Sequence, residues 1–152
     1  MAATTQDTKN KGATRAGNGK HLFDMPALAR MEAGTGYSSA EGPVVEGDRI
    51  QVGLITMKRG SGARPHSHPN EQWMYILKGK AKVSVEGQPE QIAGPGTLVF
   101  FPANVVHWAM ATGDEDMTFF TCKDLSHGII GTAADGTMAG PAYEAGYAPE
   151  KR

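Results

Sequence analysis

Short apolar runs recur along this chain between Gly, Pro, Asn and Asp residues: RIQVGLITM, QWMYILKG, AKVSVEG, TLVFFP, VVHWAM and MTFFTC. Each has the length of a β-strand, and none is matched by a helical period of comparable extent. In the stretch Lys80–Glu86 the apolar residues Ala81, Val83 and Val85 alternate with Lys80, Lys82, Ser84 and Glu86. This period of two turns one face inward and the other to water. Many short strands separated by turn residues predict an all-β fold, and a small jelly-roll β-barrel is one way to close such sheets without long exposed edges. At 152 residues, the chain has the ~100–150 residue size of one compact domain.

Residues 1–20 are rich in Thr, Asn, Gly, Lys and Ala and nearly empty of large apolar side chains. Too little surface is available there to offset the entropy of ordering, so a disordered tail is expected. The barrel is placed at 21–124, with HLFDMPALAR at His21–Arg30 entering as a short strand or helical turn limited by Pro26. Residues 125–152 form an irregular C-terminal extension whose Ile129, Ile130, Tyr143 and Tyr147 supply packing against the barrel or a partner subunit.

A formal net charge of −1, with Lys and Arg spread along the chain, leaves no basic patch for phosphates, so nucleic acid is not an expected partner. No run approaches the ~18 apolar residues of a membrane span. The polar, mildly basic first 20 residues have no apolar core of a secretory signal, so a cytoplasmic location is expected. The single cysteine, Cys122, excludes an internal disulfide and reads as an inert core thiol. A metal site must therefore rest on His, Asp, Glu or amides.

Three of the five histidines can converge. His66 and His68 are separated by one residue, so on an extended strand both rings project from one face. A turn at Pro69-Asn70 returns Gln72 to the same cavity, and His107 arrives from another strand-like run. Glu71 is the alternative fourth ligand. Gln72 is favoured because one step along a strand reverses the side-chain direction. The same alternation places Met74 and Ile76 beside Gln72 in the cavity and turns Trp73 and Tyr75 outward. Met57, Met110 and Met117 read as core filling.

The segments GSGARPHSHPNEQWMYILKG (60–79) and GTLVFFPANVVH (96–107) closely resemble the two signature motifs of the cupin superfamily. In the first, Gly60, five residues, His66, Ser67, His68, three residues, Gln72, six residues and Gly79 follow the family spacing; in the second, Gly96, five residues, Pro102 and then His107 do so. The second motif region extends over 94–111. The 16 intervening residues are a usual separation for small microbial cupins. Gln72 stands where the family usually has glutamate, Asn104 where it has glycine, and Ala111 where it has asparagine.

The resemblance implies a cupin barrel with one divalent transition metal, Fe2+, Ni2+, Mn2+ or Zn2+, held by His66, His68, Gln72 and His107. It also implies a homodimer, for which outward Trp73, Tyr75 and Trp108 suit an interface. Three imidazoles and an amide leave the metal charge uncompensated, which favours a small oxygen-rich or carbonyl-containing substrate: a keto-enol, carboxylate or aromatic compound. The reading is an enzyme, either a redox-neutral isomerase, lyase or cyclase or an O2-dependent dioxygenase. The alternative is a non-catalytic small-molecule-binding cupin with structural or no metal. No catalytic acid or base is assigned. Arg64, Tyr37, Tyr143 and His127 qualify only if loops fold over the barrel mouth, and His127 reads rather as a capping or tail-docking residue. Lys123 and Asp124 read as a strand end.

Overall fold

The computed structural model describes residues 7–150. Two β-sheets face each other across one core. The larger runs in the order Thr14–Arg15, Val44–Glu46, Ile50–Met57, Met117–Asp124, Gln72–Lys78, Leu98–Phe101, with Met31–Glu32 and Glu41–Gly42 added beside Ile50–Met57. The smaller runs Gln91–Ala93, Ala81–Val85, His107–Ala111, Ser61–Gly62, Ala142–Tyr143, and His66–Ser67 joins His107–Ala111 beside Thr132–Ala133. Neighbours in the larger sheet lie far apart in sequence, as a jelly roll requires: Met117–Asp124 pairs antiparallel with both Ile50–Met57 and Gln72–Lys78. The expected all-β barrel is the fold observed.

Alternation sets the core. Ala81 and Val83 are buried as the period of two demands, as are Met74 and Ile76. Trp73 and Tyr75 stand about two-fifths exposed, at 42% and 43%. From the long strands, Ile55, Met57, Met117 and Phe119 complete the apolar interior, with Phe101 from the strand beyond Gln72–Lys78. Met110 is only half-buried, on the outward side of a strand whose inward residues are His107, Ala109 and Ala111. Cys122 is half-buried on the outer side of its strand rather than in the core, because Thr121 and Lys123 take the inward positions. The outward aromatics divide between the sheets, Trp73 and Tyr75 on the larger and Trp108 on the smaller, so the three do not form a single patch.

The glycines quoted for the two motifs sit at tight turns. Gly79 has φ 76°, and a Cβ there would lie 2.5 Å from the Asp116 carbonyl oxygen and 2.9 Å from the Met117 Cα. Asn104 occupies the same left-handed region at φ 62°, a conformation that asparagine tolerates better than most residues. The glycine-to-asparagine departure therefore preserves the turn.

The expected disordered tail is corrected for residues 7–20. Thr14–Arg15 pairs in parallel with Val44–Glu46. Asn10 is buried: its Nδ2 donates to Glu46 Oε2 at 2.8 Å and Gln51 Oε1 at 2.7 Å, and its Oδ1 accepts from the Ile129 backbone N–H at 2.7 Å. Polar pairing, not apolar burial, orders this segment. The remainder of that expected tail, 1–6, lies outside the described residues, as do 151–152 of the extension. Of the two forms expected for His21–Arg30, the helical turn is the one observed, a single 3-10 turn at Met25–Ala27 with Pro26 in its first turn.

The C-terminal extension lies on its own barrel. Thr132–Ala133 pairs with His66–Ser67, Ala142–Tyr143 pairs with Ser61–Gly62, and Tyr147 donates to the Gly113 carbonyl at 3.3 Å. Arg64 Nε donates to the Gly140 carbonyl at 2.8 Å, tying the extension to the turn before His66. Among the described residues no helix is long and apolar enough to cross a membrane.

Candidate metal centre

His66 and His107 face each other across the smaller sheet as a directly paired residue couple. His68 follows His66, and Gln72 opens the neighbouring strand of the larger sheet. One ring nitrogen from each of His66, His68 and His107 falls within 4.8 Å of the others, and all three residues are buried. Gln72 Oε1 is 3.1 Å from His68 Nε2. The four residues singled out from the sequence are thus brought to one end of the barrel interior. Glu71 is exposed, with its backbone N–H donating to Asp124 Oδ2 at 3.1 Å.

The backbone fixes the tautomer of each ring. Nδ1–H donates to a carbonyl two residues away in every case: His66 to Arg64 at 2.7 Å, His68 to Asn70 at 2.8 Å, and His107 to Val105 at 2.9 Å. Carbonyl oxygens only accept, so each Nδ1 carries the hydrogen and each Nε2 keeps a bare lone pair. Burial keeps the rings neutral, pushing His66 and His68 down to about 4 and His107 to about 2. Secondary contributions come from the neighbouring imidazoles and Lys123.

Gln72 is oriented in the same way. The Thr121 hydroxyl donates to the Trp73 carbonyl at 3.1 Å and accepts from Gln72 Nε2 at 2.9 Å, leaving Oε1 to face His68. Two acceptors, His68 Nε2 and Gln72 Oε1, therefore meet in a buried place. His107 Nε2 is buried with no partner among the described residues. Lone pairs gathered without donors repel one another and lack compensation for lost hydration, whereas a cation among them satisfies all at once. The donor set fits a divalent transition metal of borderline softness.

A cavity of about 40 Å³ adjoins this cluster. His66, Gln72 and His107 line it with apolar Ile55, Met57, Met74, Phe101 and Phe119. Phe101 stacks on His107 with ring centroids 4.1 Å apart, and Tyr37 stacks on His66 at 4.4 Å. Tyr37 is itself buried, its hydroxyl accepting from the Gly131 N–H at 2.7 Å. Burial raises its pKa above the ordinary tyrosine value. The loops do fold over the mouth as far as Tyr37 is concerned. His127 instead donates from Nε2 to the Ile130 carbonyl at 3.0 Å, within the extension, and Tyr143 remains 37% exposed.

Lys123 does stand at the strand end read from the sequence, but its side chain enters the site. It is only 4% exposed and lines the cavity. Its Nζ donates to the Ile129 carbonyl at 2.7 Å, and burial pushes its pKa down to about 7. The signal was present in MTFFTCKD: the inward period Met117, Phe119, Thr121 continues to Lys123. No Asp or Glu is among the described residues lining the cavity.

The cupin domain family model matches residues 53–122, which contain all four cluster residues and most of the barrel. The barrel belongs to the cupin superfamily. The chain is 34% identical over 67 residues to the dimethylsulfoniopropionate lyase DddQ of Ruegeria pomeroyi, covering 44% of this chain and 33% of the relative. The crystal structure of that lyase superposes with a TM-score of 0.54 at 26% identity, over 62% of this chain and 47% of the other. The chain thus spans about a third of its curated relative. The polyketide cyclase RemF of Streptomyces resistomycificus, at 17% identity and TM-score 0.59, shares the fold over 68% of this chain and 78% of its own.

Proposed function

We propose that this cupin is a metal-dependent enzyme acting on a small carbonyl- or carboxylate-containing compound through a divalent centre made by His66, His68, Gln72 and His107. The observation that carries the reading is the set of bare acceptors converging in a buried space, with every ring tautomer fixed from behind by a backbone carbonyl. A histidine cluster serving only the core would direct its hydrogens and lone pairs to one another.

The chain's own residues define what the site accepts. Neutral imidazoles and a neutral amide cancel none of the metal charge, and no carboxylate among the described lining residues does so either. An anionic oxygen ligand is therefore favoured. When bound, the ion polarises a substrate oxygen and thereby acidifies adjacent C–H or O–H bonds. Phe101 and Tyr37 hold the imidazole planes by stacking, and Thr121 holds the amide. Met74, Ile55 and Phe119 keep the cavity apolar and poor in water, which strengthens each electrostatic contact within it.

Redox-neutral chemistry of the lyase or isomerase kind is favoured over O2-dependent cleavage. A relative with 34% identity over the matched segment is a lyase, and the uncompensated positive charge of the site opposes higher metal oxidation states. The expected setting is soluble, with the protein acting as a homodimer in the cytoplasm.

The test is turnover by metal-loaded protein on a panel of short carboxylates, dicarbonyls, unsaturated uronates and dimethylsulfoniopropionate, with dioxygen uptake recorded alongside. Product without uptake is expected. Product with stoichiometric uptake would replace the lyase reading by a dioxygenase, and metal binding without turnover of any compound would leave a ligand-binding cupin.

A further inference from the structure

Across the larger sheet, Gln51, Lys123 and Gln72 are directly paired neighbours, and all three side chains are buried inside the barrel. Gln51 is fully engaged: its Nε2 donates to the Asp124 and His127 carbonyls at 3.2 and 2.8 Å, and its Oε1 accepts from Asn10. Gln72 is engaged with Thr121 and faces His68. Lys123, between them, has one partner among the described residues, the Ile129 carbonyl. An ammonium carries three donors. The buried carboxylate of the same sheet row, Glu46, lies beyond Gln51 and is taken by the Lys9 N–H and by Asn10. No ion pair joins Lys123 to a described carboxylate.

A buried cation without a counter-ion is costly, and here its remaining donors have the cavity to turn to. His66, His107 and the Lys123 amine all line the cavity, and it is small. A ligand filling it must be short and must offer acceptors at two places.

We propose that Lys123 anchors the anionic end of the ligand, so that the site takes short-chain carboxylates bearing a second oxygen function, hydroxy or oxo acids, with one oxygen group toward the histidine cluster and a carboxylate oxygen accepting from Lys123 Nζ. The inference rests on the proposed metal site for the first end and on Lys123 alone for the second. A compound with a cationic head directed toward Lys123 is repelled, which distinguishes this cavity from one shaped around a sulfonium compound.

The test is calorimetric titration of the metal-loaded protein with glycolate and with its neutral counterpart glycolamide, on the natural chain and on Lys123→Met and Lys123→Gln variants. Metal content and melting temperature are measured for each. Binding of glycolate should weaken at least tenfold in both variants, glycolamide binding should be weak and unaltered by substitution, and metal content should stay constant. Glycolate should also raise the melting temperature of the natural chain more than that of either variant. Equal glycolate affinity in all three proteins overturns the role given to Lys123, as does failure of metal-loaded natural protein to bind glycolate. Lys123-dependent glycolate binding by protein that takes up no metal supports the anchor and overturns the metal reading instead.

Discussion

The long strands of the larger sheet carry two different interiors at their two ends. At one end the paired inward positions are Met57 with Met117, then Ile55 with Phe119 and Ile76, all buried and apolar. At the other end the same strands, in the same register, point Gln51, Lys123 and Gln72 inward, equally buried. Backbone geometry and burial are alike, so the difference lies in what each end must satisfy. The apolar end gains from removal from water and needs no polar partner, even where Ile55, Met57 and Phe119 line the cavity. The polar end requires a partner for each donor and acceptor, and His107 Nε2 and the spare donors of Lys123 find none among the described residues. One end supplies stability and an apolar wall for the cavity, and the other supplies the polar groups organised for a ligand.

Substitutions can break this contrast. Phe119→Ala should leave a cavity in the apolar end and cost about 3–5 kcal/mol in denaturant unfolding, while the folded fraction keeps its metal. A loss of metal from well-folded Phe119→Ala protein would mean that the two ends are not separable.

Asn10→Ala removes the amide that holds Glu46, Gln51 and the Ile129 N–H together behind the polar end. Buried partners left unsatisfied should cost about 1–3 kcal/mol. The N-terminal segment should also lose protection in hydrogen exchange, with the apolar strands unchanged.

Acid should act selectively on the polar end of metal-free protein. The three buried rings titrate at about 4, 4 and 2 when folded, against 6.5 ordinarily, so between pH 6.5 and 4 the unfolded chain binds protons that the folded chain refuses. Stability should therefore fall as the pH drops through that window, and less steeply in His107→Ala. Denaturant midpoints across the range check this, and a flat profile would contradict the assigned neutral tautomers.

The smallest effect is expected at Lys123. Replacing a buried amine that has no ion pair among the described residues by methionine should leave stability within about 1 kcal/mol or raise it, since a buried charge is often replaced by an apolar group without loss. A strongly destabilised Lys123→Met protein would show that the Ile129 contact, not a ligand, accounts for the residue.

Much of this arrangement was legible before the fold. Period-two patterning placed Ala81, Val83, Met74 and Ile76 inside because a strand has only two faces, and motif spacing brought His66, His68, Gln72 and His107 together. Three features were not legible. The N-terminal segment is ordered by Asn10 contacts reaching over a hundred residues to Ile129, which composition does not encode. The pairing of Thr132–Ala133 and Ala142–Tyr143 rests on two-residue strands too short to leave a pattern. Lys123 obeys the strand period, but two charged residues at a strand end carry no pattern that reveals the Ile129 carbonyl covering the lysine.

Binding of a metal by the bare acceptors of His66, His68, Gln72 and His107 accounts for the polar end as a whole. Its most direct test is elemental analysis of the natural chain and of His107→Ala after equilibration with the same low concentration of divalent transition metal. The expected result is close to one ion per chain in the natural protein and little in the variant, with circular dichroism showing both folded. Equal metal in the two proteins, or none in either, would contradict the claim.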